Sequence, residues 1–178
     1  MSTLATRFRC LLAVVLCFGT LAACSTPPIQ DSNIVAANYT AADQLISQAS
    51  WIKRDAQPLL VASLVNINAL ESSSAFGRIA SEQISSRFAQ QGLTVIEMKT
   101  RNNVFIEQDN GEFVLSRSVR DLSRTHRAAA LAAGTYAIGR ESVYVSTRLI
   151  RALDGVVIAS YDYTLPLGPD TRALLSAQ

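Results

Sequence analysis

The chain has 178 residues, of which 49% are hydrophobic, and it carries 16 basic side chains, 14 acidic side chains and one histidine. This composition is typical of a folded globular protein and excludes a disordered chain. The formal net charge of only +2 argues against a nucleic-acid binder, because such proteins usually carry a marked basic excess.

The first residues have the layout of an export signal. Arg7 and Arg9 precede an almost uninterrupted apolar run over residues 11–21, and small residues follow before Cys24. The run is too short to span a bilayer comfortably, and its order of charge, apolar core and small residues is that of a secretory signal. A plain secretory signal with a chance cysteine is the alternative interpretation. The four residues Leu21-Ala22-Ala23-Cys24 resemble the lipobox of bacterial lipoproteins at every position.

The lipobox resemblance implies that residues 1–23 are a signal peptide and that Cys24 becomes the lipidated first residue, carrying acyl chains such as palmitate. Ser25, rather than aspartate, follows the cysteine, and in such lipoproteins this permits transport to the outer membrane. We therefore expect a lipid-anchored protein of the outer membrane whose domain faces the periplasm.

Removal of the signal peptide also changes the charge and the cysteine count. Loss of Arg7 and Arg9 leaves 14 basic against 14 acidic residues, and loss of Cys10 and Cys17 leaves Cys24 as the sole cysteine. The mature domain can therefore form no internal disulfide and offers no thiol nucleophile or cysteine-ligated metal site.

The mature chain divides into a tether and one domain. Residues 24–38 contain Pro27-Pro28 and scattered polar residues, which predicts a flexible tether, and residues 39–178 have the usual size of one globular domain. The domain is predicted to open with a helix over 40–51, in which Thr40 is the cap and Asp43 stands at the capping-box position.

The middle of the domain alternates strands and helices. Pro58 precedes an apolar strand over 59–67, and the serines 72–74 offer a cap for a second helix that Gly92 ends. A short strand over 94–98 follows. Two further strands, over 104–106 and 112–115, flank the turn sequence Asp109-Asn110-Gly111 and are predicted to form a hairpin.

The last third is predicted to hold a helix and three strands. The helix runs from Ser116 to about Ala132 with Gly134 as its stop, and antiparallel strands follow over 134–142, 143–152 and 156–165. A short tail helix is expected over 171–177.

This order of elements predicts an α+β, or mixed α/β, single domain. A helix between the first two strands favours a parallel crossover, and the last three strands must form an antiparallel meander. The sheet is therefore mixed, with helices packed on it.

No catalytic or cofactor motif is found in the sequence. His126, the single histidine, falls beside the apolar face of the third helix, and no Gly-x-Ser-x-Gly elbow surrounds any serine. The glycines Gly134 and Gly139 lack the spacing of a phosphate-binding loop. We expect a structural role for His126, no bound metal or cofactor, and no enzyme activity.

Two groups of residues are candidates for an interaction surface. Arg117, Arg120 and Arg124 recur at helical spacing along the third helix, where a solvated helix face is the simpler interpretation. Tyr144 and Tyr161 lie on the closing strands and are ordinary strand residues. Both arginine and tyrosine are also enriched where proteins bind one another.

Several segments, taken together, resemble the FlgO family of flagellar outer-membrane lipoproteins, in order from about residue 38 to residue 167. The resemblance implies an outer-membrane lipoprotein that is needed for motility and is associated with the part of the flagellum that crosses the outer membrane. It implies no catalytic residue. The segments are Ser73-Ser74-Ala75-Phe76-Gly77-Arg78, Glu82-Gln83-Ile84, Gly111-Glu112-Phe113-Val114-Leu115-Ser116-Arg117, Gly134-Thr135-Tyr136, Tyr144-Val145-Ser146-Thr147-Arg148-Leu149 and Tyr161-Asp162-Tyr163.

Two other classes of function remain open from the sequence. One is a periplasmic interaction module that resembles the curli-secretion lipoprotein or the amino-terminal domain of TolB and acts in envelope assembly or secretion. The other is an enzyme acting on envelope polymers. The expected partners are the outer membrane, through the lipid on Cys24, and flagellar or other envelope proteins. A tether raises the effective concentration of neighbours, so weak contacts can build a homo-oligomer or a ring.

Overall fold

The computed structural model of the chain describes residues 27–54, 56–70, 72–98, 106–109, 112–115 and 117–177. Helices pack on a mixed six-stranded sheet, which confirms the predicted α+β class. In chain order the elements are α1 (Ile34–Gln48), a 3₁₀ helix (Ser50–Arg54), β1 (Leu59–Ala62), β2 (Val65–Asn66), α2 (Ala75–Gln90), β3 (Val95–Met98), β4 (Ile106–Asp109), β5 (Glu112–Leu115), α3 (Arg117–His126), β6 (Ala130–Ile138), β7 (Ser142–Arg151), β8 (Val157–Pro166) and α4 (Pro169–Ser176).

The large sheet has the strand order β3-β1-β6-β7-β8, and β2 also pairs with β6. β1 runs parallel to both β3 and β6, so the crossover through α2 is parallel as predicted. β6, β7 and β8 are antiparallel neighbours, which confirms the closing meander. β4 and β5 form a separate antiparallel pair, as predicted, but β4 extends to Asp109, which stands opposite Glu112 and so belongs to the strand rather than to the turn.

The main core lies between the sheet and the helices α1 and α2. Phe76 and Phe88 of α2 and Leu45 of α1 are almost completely buried there, against Leu59 of β1 and Leu149 of β7. A second buried cluster lies on the other face of the sheet, where side chains of β1 and β6 are covered as well. Its members are Leu60, Ala62, Met98, Ala128, Leu131, Ala133 and Ile150.

The first helix begins earlier than predicted. It starts at Ile34, because the side chain of Asn33 accepts a hydrogen bond from the backbone N–H of Ala36 at 2.9 Å and caps the helix. Thr40 lies inside the helix, where its hydroxyl donates to the carbonyl of Ala36 at 2.9 Å. The end of the expected tether is therefore part of the folded domain. The helix also ends at Gln48, before Trp51.

The alanine-rich segment before Gly134 is strand, and its prediction as helix is wrong. α3 ends at His126, and Arg127 takes a positive φ of 51° that breaks the helix. β6 then begins at Ala130 and lies between β1 and β7 with both faces buried. Tertiary burial overrides the helix propensity of alanine in this central position. Gly134 lies within β6, where a Cβ would approach the backbone carbonyl of Ser146 to 2.4 Å.

Other predicted boundaries fall close to the observed ones. Ser74 caps α2 through a hydrogen bond from the N–H of Gly77 at 3.5 Å, and Gly92, with φ of +85°, follows the end of that helix. The predicted strand over 59–67 divides into β1 and β2, of which β2 pairs only with β6 in the described sheet. The tail helix is confirmed as α4.

β8 lies at one edge of the described sheet, and Gln48 covers part of this edge. The carboxamide nitrogen of Gln48 donates to the backbone carbonyl of Ser160 at 2.9 Å, and its oxygen accepts from the backbone N–H of Ser160 at 3.1 Å. The side chain thus makes the two hydrogen bonds that a residue of a neighbouring strand would make.

Asp31 connects the start of the described chain to the last helix. Its carboxylate accepts hydrogen bonds from the N–H groups of Asp170 and Thr171, at 2.8 and 3.0 Å, and from the Thr171 hydroxyl at 2.6 Å. The cap residue of α4, Gly168, has no side chain to do this. The hydrogen bond from the Thr171 hydroxyl is the main cause that lowers the pKa of Asp31 below its ordinary value. We call this contact the Asp31 cap.

Candidate functional site

A groove lies on the face of the sheet that is turned away from α1 and α2. Along β7 the side chains alternate: Val143 and Val145 are buried, whereas Tyr144 is exposed and Ser146 is half-buried on the other face. The groove has a volume of about 530 Å³. We call it the sheet-face groove, and it is lined by Ile67, Thr135, Ala137, Tyr144, Val145, Ser146, Asp162, Tyr163 and Thr164.

The lining of the sheet-face groove combines an aromatic ring, hydroxyls and one carboxylate. Tyr144 is 57% exposed and stands opposite Thr164 on β8. Ser146 and Asp162 face each other across the same two strands, and the Ser146 hydroxyl donates to the Asp162 carboxylate at 2.6 Å. An exposed tyrosine beside directed hydrogen-bonding groups suits reversible binding.

The other tyrosines of the last strands have internal roles. The hydroxyl of Tyr163 donates to Asn38 of α1, and burial raises the pKa of Tyr163, so this hydroxyl remains protonated. Tyr161 packs against the main core with its ring 6.1 Å from that of Tyr163. Tyr144 and Tyr161 therefore lie on opposite faces of the sheet.

Arg124 of the predicted arginine surface and Tyr144 lie toward opposite ends of β6. Arg124, at the end of α3, is exposed; Arg117 and Arg120 belong to the same helix, but their side chains lie outside the described residues. α3 leads into the start of β6, whereas Tyr144 stands opposite Ala137 near the end of β6. The part of β6 between these two points spans roughly 20 Å. Cys24 also lies outside the described residues.

The described part of the chain offers little for catalysis or metal binding. Within it, no group of three histidine, cysteine, aspartate or glutamate residues could hold a metal ion. His126 is exposed at the end of α3. Of the helices whose residues are described, none is long and apolar enough to cross a membrane.

A buried contact joins Ser73–Arg78 to Gly134–Tyr136, two of the segments that resemble the FlgO family. The sequence alone does not place these two segments side by side. The hydroxyl of Tyr136, on β6, accepts from the backbone N–H of Ser74 at 3.2 Å and donates to the Ser74 hydroxyl at 2.8 Å. The Tyr136 ring meets Phe76 edge-on, with centroids 5.3 Å apart. We call this contact the Ser74–Tyr136 junction.

Gly77 completes the packing around this junction. A Cβ at Gly77 would approach the backbone carbonyl of Leu64 to 2.1 Å and the Ser73 hydroxyl to 2.5 Å. The Ser73 hydroxyl itself donates to that carbonyl at 2.7 Å. The segments Ser73–Arg78 and Gly134–Tyr136 therefore hold α2 against β6, and their role in the described structure is packing.

Comparison with known proteins gives distant structural likenesses. No curated protein matches the chain in sequence. The LpoB C-terminal domain from Salmonella enterica is 15% identical, and the match covers 71% of this chain and 96% of that one with a TM-score of 0.48. Lipoprotein GNA1162 from Neisseria meningitidis is 17% identical, with coverage of 64% and 82% and a TM-score of 0.42.

A similar match is found to the PelC dodecamer from Paraburkholderia phytofirmans, at 16% identity, coverage of 68% and 81%, and a TM-score of 0.41. These likenesses are distant, and no conclusion about function rests on them.

The family comparison is more specific. The model of the family described as FlgO protein matches residues 39–170, which include α2, the closing meander and both segments of the Ser74–Tyr136 junction. This range is well over half of the chain and agrees with the family expected from the sequence segments. The chain belongs to the FlgO family.

Proposed function

We propose that this protein is an outer-membrane lipoprotein with a structural and assembly role in the bacterial flagellum, and that it is needed for motility. The observation that carries the proposal is the family match over residues 39–170. The lipobox-like segment Leu21–Cys24 supports the membrane anchor, because a lipoprotein signal directs the attachment of acyl chains to its cysteine. These chains hold a domain on a membrane.

The geometry of the described residues favours binding over catalysis. The sheet-face groove is open and offers Tyr144 beside Ser146 and Asp162, which are paired with each other. Its chemistry suits a protein surface that presents both apolar and hydrogen-bonding groups. We therefore propose flagellar or other envelope proteins as partners, and copies of the same chain where the tether concentrates them into a homo-oligomer or a ring.

The anchor is tested with Cys24→Ser in a strain that lacks the native protein. We expect the wild-type protein to incorporate labelled fatty acid and to sediment with outer membranes, and the variant to be released from them. Absence of label from the wild-type protein would refute the lipidation.

The flagellar role is tested by deletion of the chain and complementation. We expect the deletion strain to lose swimming in soft agar and the wild-type copy to restore it. Normal swimming of a clean deletion strain would refute the flagellar role, whatever the state of Cys24.

The binding surface is tested with variants that leave the core untouched. Tyr144→Ala removes the exposed ring from the sheet-face groove. The matched control is Leu153→Ala, because Leu153 lies in the turn between β7 and β8 and is 89% exposed. We expect Tyr144→Ala to impair swimming with normal protein levels and Leu153→Ala to leave it unchanged. Arg120→Glu with Arg124→Glu tests the α3 surface in the same assay.

A further inference from the structure

The Asp31 cap determines where the tether leaves the domain. Six residues, 25–30, separate Cys24 from Asp31, and the Asp31 carboxylate is held at the start of α4 by three hydrogen bonds. Even a fully extended chain of this length reaches only about 25 Å. A lipid on Cys24 would therefore keep this point of the domain close to the membrane surface.

Three exposed aliphatic residues lie at the same end of the domain as Asp31. Gly168, next to α4, lies close to the Asp31 backbone. The preceding residue, Leu167, donates its N–H to the carbonyl of Glu141 at 2.8 Å, which places the β6–β7 turn near Asp31. This turn begins at Ile138, which is 48% exposed.

Val35 and Ile67 complete the set. Val35 lies in the first turn of α1 and is 43% exposed, and Ile67 is 46% exposed. The backbone N–H of Ile67 donates to the Tyr136 carbonyl at 2.9 Å, two residues before Ile138. We call the surface formed by Val35, Ile67 and Ile138 the tether end.

The opposite end of the domain carries the turn between β7 and β8. Leu153 in this turn is 89% exposed, and the nearby Val156 and Val157 are also exposed, so the reach of the tether, rather than aliphatic exposure, distinguishes the two ends. The ten residues of β8 separate Leu153 from the tether end. Ten residues of extended strand span about 33 Å, which exceeds the reach of the tether. An upright domain anchored at Asp31 therefore places Leu153 far from the membrane.

We infer that the tether end lies against the phospholipid surface that holds Cys24, with Val35 and Ile138 in the headgroup region and Ile67, which also lines the sheet-face groove, at the margin of the contact. The inference rests on the proposed function for the lipid anchor and adds the orientation of the domain and its contact surface. Branched aliphatic side chains gain by leaving water at such a boundary. The exposed charges at this end include Arg140 and Glu141 in the adjoining turn and Asp170 at the start of α4. They give no basic excess, so the aliphatic side chains, rather than charge, carry the contact.

The single lipidated cysteine makes this contact measurable. Cys24 is the sole cysteine after residue 23, so Ile138→Cys and Leu153→Cys each introduce one free thiol into the mature lipoprotein. Each variant is labelled with acrylodan and reconstituted into vesicles of phosphatidylethanolamine and phosphatidylglycerol. We expect a blue shift of the emission and quenching by brominated lipid at position 138, and water-like emission at position 153. Equal shifts at both positions, or a shift at position 153 alone, would overturn the inference.

The orienting role of Asp31 is tested in the Ile138→Cys background. Asp31→Ala removes the Asp31 cap, and Asn33→Ala is the matched control because it removes a helix cap two residues away without freeing the tether from α4. We expect the blue shift at position 138 to fall with Asp31→Ala and to persist with Asn33→Ala. Equal emission in the two variants would exclude Asp31 as the orienting contact.

Mass spectrometry of the same samples separates this inference from the proposed function. A protein without acyl chains on Cys24 would refute the proposed anchor. A fully lipidated protein whose label at position 138 stays in water would refute the orientation alone.

Discussion

Removal of the Tyr136 hydroxyl should destabilise the domain by a measurable amount. Tyr136 is only 2% exposed, and Tyr136→Phe keeps the ring against Phe76 but deletes both hydrogen bonds to Ser74. The buried N–H of Ser74 then lacks the acceptor that Tyr136 provides. Loss of such a partner costs about 1–3 kcal/mol, and we expect about 2 kcal/mol.

The assay is thermal unfolding of the chain without residues 1–23, followed by circular dichroism. For a domain of this size, about 2 kcal/mol corresponds to a fall in Tm of roughly 4–8 °C. Tyr144→Phe is the control, because the Tyr144 ring is 57% exposed and its hydroxyl should contribute little to stability. A Tm for Tyr136→Phe equal to that of the control would refute the reasoning.

A double-mutant cycle with Ser74 tests the partner directly. Ser74→Ala alone should cost about 1 kcal/mol or more, since Ser74 also caps α2. The double variant should lose less than the sum of the two single losses, because both substitutions remove the hydrogen bond between the Tyr136 and Ser74 hydroxyls. Additive losses would show that the two side chains are not coupled.

Three further predictions concern packing and pH. Gly77→Ala should destabilise the domain by at least about 1–3 kcal/mol in the same melt, because a Cβ would meet the Leu64 carbonyl at 2.1 Å; a Tm like that of the wild type would contradict this close approach. Ala132→Leu should cost a similar amount of about 1–3 kcal/mol by overpacking the buried β6, and a stabilised variant would contradict the tight packing of the sheet. Because the pKa of Asp31 is lower in the folded state than its ordinary value of 3.8, its stabilising contribution is present above that value and is lost as the pH falls through the folded-state pKa. The wild type should therefore lose more stability than Asp31→Asn between about pH 5 and about pH 3, and identical losses would exclude a role for the Asp31 carboxylate.

The sequence predicts those parts of the fold that local patterns determine. Ser74 and Gly92 mark the two ends of α2 because capping and positive φ are properties of a few adjacent residues. The meander follows from alternating strands separated by turn residues such as Gly155, whose φ is +77°.

Other features depend on residues that are distant in sequence. The alanine segment that enters β6 has high helix propensity, and only its burial between β1 and β7 makes it a strand. The Asp31 cap joins residues 140 positions apart, so no local pattern could reveal it. The sheet-face groove contains Tyr144, which the sequence predicts as a candidate. The register of β7 and β8 brings Asp162 beside it, and a backbone hydrogen bond to Tyr136 holds Ile67 at the groove.

The pairing of Gln48 with Ser160 has a consequence for contacts between the sheet and other chains. An open edge strand can pair with a strand of another chain, which then continues the sheet. A side-chain amide on the backbone of β8 occupies the hydrogen-bonding groups through which a neighbour would join at this point. Another chain could continue the sheet past Ser160 only if it first displaced the Gln48 side chain from the backbone of β8.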